Sequence, residues 1–167
     1  AHQLGPRERL LLEAAAHLHD IGHGWDFNAT GHHKESARLI REHPWKNFSP
    51  AEVEIMAQVS RYHRKEMPEM SQDEFRKLSD QDRRTVQVLA ALLRLADSLD
   101  RTHERRVTGL KAEVRPNQLI VRIDAHGIII REIRAFHKKA ELATLVFQRD
   151  IVLMIGDEIL KPIELPG

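Results

Sequence analysis

The chain has 167 residues, 41% of them hydrophobic and 31% charged, with a formal net charge of +1. That length and apolar share support a packed core without covalent staples, the lack of cysteine excludes disulfides and thiolate metal sites, and the near-zero charge excludes a global field aimed at nucleic acid or membrane. No apolar run approaches the roughly 18 residues that cross a bilayer, and the first residues carry no basic-then-apolar leader pattern, so the expectation is a soluble, cytoplasmic protein with no membrane partner.

Pro6 opens a first helix whose apolar positions Leu10, Leu11, Ala14, Ala15 and Leu18 recur at three-and-four spacing up to Asp20. Gly22 and Gly24 break it, and Gly31 precedes a second helix with Ala37 and Ile40 inward, ending before Pro44. The capping box "SPAE", Ser49 to Glu52, starts a third helix running to about His63, and "SQDE", Ser71 to Glu74, repeats the box for a short helix. A long helix comes next, from about Ser79 to Arg101, with Val86, Leu89, Ala90, Leu93, Ala96 and Asp97 on one face. After Val107 the period changes. Two strands flank Pro116-Asn117, the second alternating Leu119, Val121 and Ile123 against Ile120, Arg122 and Asp124; a helix from Ile130 to Phe147 and an apolar strand from Ile151 complete the chain. The expected fold is mostly α, a helical domain over residues 1–106 followed by a small ββαβ tail of α+β type over residues 107–167.

Eight of the eleven histidines lie between His2 and His63, three of them in "AAAHLHDIGHGW". Neighbouring His19 and Asp20 sit about 100° apart on a helix, yet both reach one ion if the helix end points at it. Imidazole with carboxylate suits Mn, Fe, Zn, Co or Ni, whereas Mg needs more oxygen. His33 opens the second helix and His63 closes the third. Asp97 lies among leucines, where a carboxylate needs a partner: a metal, or a salt bridge to Arg61, Arg94 or Arg101. A hydrogen-bonded core network of the same groups stays open as an alternative.

Four stretches, "LEAAAHLHDIGH", "GHHKESARLI", "VSRYHRK" and "LAALLRLADSLDRTH", present His-Asp, His, His and Asp in order. This order resembles the HD superfamily of metal-dependent phosphohydrolases. More closely, it is similar to the C-terminal HD-type region of the exopolyphosphatase/guanosine pentaphosphate phosphatase (Ppx/GppA) family, and the ββαβ tail is similar to the small last domain of those proteins. The resemblance implies an HD-type helical domain with His19, Asp20, His33, His63 and Asp97 as ligands of a divalent ion (Mn, Mg, Zn, Fe, Co or Ni). It also implies catalytic positions for Asp20 and for His23, which stands where many HD phosphohydrolases place a lysine. The superfamily's first histidine belongs to a helix preceding the start of this chain, and His2 is a poor substitute, so the ion's presence stays open. His17 and His32 read as supporting or surface groups. Arg61, Arg64, Lys65 and Arg101 read either as a stripe for a phosphate chain or as a solvated basic face.

The partners so implied are polyphosphate or guanosine pentaphosphate, the actin-like domains that precede this region in the family, and a second copy in a homodimer. Two functions compete. One is a module of such a phosphatase that binds polyanion and supports assembly, with the main catalytic domains outside this chain. The other is a self-sufficient HD metal-dependent phosphohydrolase acting on a nucleotide or phosphate ester. Whether the chain alone is an enzyme is left open between them.

Overall fold

The computed structural model describes residues 4–25 and 31–163, so His2 lies outside the described residues. Among the described residues six helices and four strands come in the order α1 (Pro6–Leu18), a 3-10 turn (Ile21–Gly24), α2 (His32–Glu42), α3 (Pro50–Arg61), α4 (Asp73–Arg76), α5 (Asp80–Leu99), β1 (Val107–Val114), β2 (Gln118–Ala125), α6 (Ile130–Phe147), β3 (Asp150–Ile155) and β4 (Glu158–Ile159). The fold is mostly α with a small α+β tail, as expected. No helix among the described residues is long and apolar enough to cross a membrane.

Two compact units divide the chain, residues 1–93 and 94–167, and the division falls inside α5. In the first unit, α1 and α2 both pack on α3, and the 3-10 turn packs on α2. Leu11, Ala15, Ala37, Ile40, Met56, Val59, Tyr62, Phe75, Val86 and Leu89 are buried there. Leu10, expected inward, is 41% exposed because Leu11 and Ala15 define the covered stripe of α1. The capping box at α3 forms as the sequence dictates: the Glu52 N–H donates to Ser49 Oγ at 3.4 Å, and the Ser49 N–H donates to Glu52 Oε2 at 2.7 Å. A Ser49→Ala variant should therefore lose about 1 kcal/mol of stability in urea unfolding. A melt unchanged within about 0.3 kcal/mol would deny the cap its role.

The second box does not form, since α4 is capped by Gln72 rather than Ser71. The buried Tyr62 hydroxyl needs an acceptor, and it donates to Gln72 Oε1 at 2.5 Å, an oxygen that also accepts the Glu69 N–H at 3.0 Å. Along α5 the expected inward face holds through Leu93. Beyond it Leu95, Ser98 and Leu99 are buried while Ala96 is exposed, because the helix enters the second unit there and a different side is covered.

The second unit carries a four-stranded sheet in the order β1-β2-β3-β4. The hairpin pairs β1 antiparallel to β2, β3 lies parallel to β2 after the α6 crossover, and β4 returns antiparallel to β3. Phe136, Ala140 and Ala143 of α6 are buried, as are Val121, Ile123 and Leu153 of the sheet. Glu132, 1% exposed on α6, accepts the Thr102 N–H at 3.1 Å and its Oγ1–H at 2.7 Å. That pair of bonds fastens the chain just after α5 to α6.

Candidate metal centre

Helix α1 ends one residue before His19, which keeps helical angles as its cap. The chain then leaves the helix at Asp20 and makes the 3-10 turn. Gly22 lets that turn sit against the start of α2: a side chain there would meet the His32 carbonyl oxygen at 2.3 Å, and its N–H donates to Ser36 Oγ at 2.9 Å. Gly31, with φ at +99°, leaves room for the His33 ring, which a Cβ would approach to 2.6 Å. His63 comes directly after α3, as the second residue beyond its end. Three helix ends thus gather histidines around one carboxylate.

Asp20 is the centre. Its Oδ2 lies 3.3 Å from His19 Nε2, and its Oδ1 lies 3.2 Å from His32 Nε2, 3.5 Å from His63 Nε2 and 3.7 Å from His23 Nε2. His19, Asp20 and His63 present ligand atoms close enough to share one ion, and so do Asp20, His23 and His32. The rings crowd one another, with His19 edge-on to His63 at 4.8 Å between centroids and His23 stacked on His32 at 3.6 Å.

Tautomers are set by the backbone. His19 Nδ1 lies 2.7 Å from the Ala16 carbonyl and His63 Nδ1 lies 2.6 Å from the Ser60 carbonyl. A carbonyl only accepts, so each Nδ1 carries a proton and donates, and each ring turns its Nε2 toward Asp20. Metal-ligating histidines are commonly held in this way. Burial works against a charged Asp20, but the hydrogen bond and charge of His19, with the charges of His63 and His32, outweigh it and hold the carboxyl well below its usual range. Burial pushes His32 and His33 down to about 4. At neutral pH these two rings are uncharged, the form that binds metal.

A divalent ion fits this donor set. His19, Asp20 and His63 bring their ligand atoms within one ion's reach, and nitrogen with oxygen donors suits first-row transition metals. His33 adds to the fit: it is 1% exposed, and neither ring nitrogen has a hydrogen-bond partner among the described residues, a costly condition for a buried polar group.

The remaining residues expected from the sequence divide. Arg64 reaches the cluster, its Nη1 lying 3.2 Å from His32 Nε2. Arg61 is engaged by Glu66 and Glu74, both at 3.1 Å. Lys65 is exposed with φ at +58°, and Arg101 is exposed in the second unit. Asp97, also in the second unit, pairs with Lys139 of α6, a partner that none of the arginines weighed from the sequence anticipates. His32, which reads from the sequence as a supporting or surface group, comes as close to Asp20 as any histidine. The "GHH" triplet carries a signal for its second histidine, because the glycine at the helix start frees room for the His33 ring.

No curated protein sequence matches the chain. The family model described as Ppx/GppA phosphatase, domain III, matches residues 2–143, a span that reaches from before α1 into α6. The chain therefore belongs to the Ppx/GppA phosphatase family and carries its domain III.

Proposed function

We propose that this chain is the HD-like module of a polyphosphate or guanosine pentaphosphate phosphatase, holding one divalent ion at His19, Asp20 and His63 and a phosphate chain beside it. The observation that carries the reading is the gathering of His19 Nε2 and His63 Nε2 on the Asp20 carboxylate, each ring oriented by its Nδ1–H bond to a backbone carbonyl. His33 stands by as a further ligand, and His23 with His32 offers a second set through the same carboxylate. The chemistry a divalent ion supplies at such a site is activation of water near neutral pH and neutralisation of phosphoryl charge.

The protein's own groups do the rest. Asp20 orients the donor set. His23, on the exposed side of the cluster with its Nε2 3.7 Å from Asp20 Oδ1, is the group placed to pass a proton to a leaving oxygen. Arg64 offers a guanidinium to phosphate oxygens, with Lys65 and Arg61 as further basic groups for a longer chain. In this reading the actin-like domains of the parent protein hydrolyse the terminal phosphoanhydride in the cytoplasm, and this module retains the polyanion. The second reading, a self-sufficient HD phosphohydrolase, is favoured by the placement of Arg64 and His23 against the same ring, that of His32.

Metal content of the purified chain, measured for wild type and Asp20→Ala, tests the proposal together with phosphate release from polyphosphate and guanosine pentaphosphate. Stoichiometric metal in wild type, lost in Asp20→Ala and without turnover, is the expected result. Turnover that disappears with the metal would favour the second reading. No metal in either protein, after incubation with Mn, Zn or Fe, would leave only a hydrogen-bonded core.

A further inference from the structure

We propose that Glu66 is a positioning residue for the histidine cluster: its carboxylate closes the turn after α3 and docks that turn on α2, which sets His63 against Asp20 and Arg64 against His32. The inference rests on the function proposed above. Helix α3 ends at Arg61, and Tyr62, His63, Arg64 and Lys65 follow before the chain reaches Glu66. Lys65 turns through a φ of +58°, a conformation that a residue with a side chain keeps only where its surroundings impose it. Glu66 supplies that constraint. Its Oε2 accepts from Arg61 Nη2 at 3.1 Å, which closes the turn on itself, and its Oε1 lies 2.7 Å from Lys34 Nζ, one residue past His33 on α2.

The turn therefore meets the start of α2 at two points. Arg64 Nη1 lies 3.2 Å from His32 Nε2, and Glu66 pairs with Lys34. Only the second contact brings charge attraction, because burial keeps the His32 ring uncharged at neutral pH. At the near end of the turn Tyr62 is buried, and its N–H donates to the Gln58 carbonyl at 2.9 Å. His63 and Arg64 are thus carried between a fixed end at Tyr62 and an ion-paired end at Glu66. The Lys34 and Glu66 side chains are 43% and 31% exposed, and pairs so exposed contribute little to stability. Losing the pair should leave the fold standing and act on where His63 and Arg64 sit.

Charge alone and positioning predict opposite signs, which decides the test. Glu66→Gln removes an anion near a phosphate site, so charge alone would tighten phosphate. Lys34→Met removes a cation near a metal site, so charge alone would tighten metal. If Glu66 positions the turn, Lys34→Met should instead weaken Mn binding about tenfold. Glu66→Gln, at saturating Mn, should weaken inorganic phosphate by a similar factor, and urea melts of both variants should match wild type. In the ligand-free chain, backbone order parameters over residues 63–66 should fall from about 0.85 toward 0.6 in either variant. Tighter phosphate in Glu66→Gln, tighter Mn in Lys34→Met, or a turn that stays rigid in both overturns the proposal. A wild type that binds neither Mn nor phosphate denies the proposed function instead, and the order parameters then judge Glu66 by themselves: a loosened turn sustains its role and a rigid one removes it.

Discussion

Replacing Gly22 by alanine should cost roughly 2–4 kcal/mol, while the same change at Gly24, two residues on, should stay within about 0.5 kcal/mol. The two glycines look alike in sequence, as punctuation after a helix. Their surroundings differ. A methyl at Gly22 would lie 2.3 Å from the His32 carbonyl oxygen, 2.6 Å from the Ser36 nitrogen and 2.9 Å from Glu35 Cβ, whereas at Gly24 nothing lies within 4 Å. The first two obstacles are backbone, so relief requires the 3-10 turn to back away from α2. That movement would also part Asp20 from His32, now 3.2 Å apart, and break the bond from the Gly22 N–H to Ser36. Metal retention should therefore fall along with stability in Gly22→Ala and persist in Gly24→Ala. Urea unfolding and metal analysis of the two variants decide it, and equal behaviour would mean the close approach carries no weight.

Acid should unfold the metal-free protein well before carboxylates as a class protonate. His32 and His33 sit near 4 in the folded chain, lowered by burial from an ordinary value of 6.5. Between those two values the unfolded chain binds protons that the folded chain refuses, so stability rises with pH and drains away as pH falls from about 6.5 to about 4. Each buried ring contributes about 2 kcal/mol of that loss by pH 4.5, a large share of the stability of a domain this size. Asp20 adds a loss of the same sign at lower pH, because its depressed carboxyl stays ionised in the fold after the unfolded chain has taken up a proton. Denaturant melts at about pH 7.5 and about pH 4.5 measure the difference, and His33→Gln should flatten it. A profile level across that window would contradict neutral, buried rings.

Much of this architecture is legible in the sequence because it rests on local rules. The box at Ser49, proline at the first turn of α1 and α3, and the change of period after Val107 each have a residue-level cause that tertiary packing does not override. The features that escape a sequence reading depend on contacts distant along the chain. The cap of α4 sits at Gln72 rather than Ser71 because a buried tyrosine hydroxyl ten residues earlier requires that amide. Strand β4, two residues long, is too short to carry a period. The sequence shows that Asp97 needs a partner, but that partner lies 42 residues away on a helix whose inward face the pattern alone does not orient. At the candidate metal centre, the pairing of His19 with Asp20 and the approach of His63 are readable from the order of the motifs. The closeness of His32 and the dependence on Gly22 are not, since both are consequences of where α2 begins.

The two backbone carbonyls that fix His19 and His63 have an electrostatic meaning of their own. Ala16 and Ser60 lie in the last turns of α1 and α3, where unpaired carbonyls gather about half a negative charge per helix. The start of α2, which carries His32 and His33, presents the opposite sign. The cluster is thus a small electrical dipole built from peptide groups, with its negative pole at His19 and His63 and its positive pole toward Arg64. An ion pair dropped into it would sort itself, the cation settling between the two helix ends and the phosphate against α2. Under the proposed function this implies an order of loading: without the cation, the negative pole repels an approaching polyanion, so metal should precede phosphate.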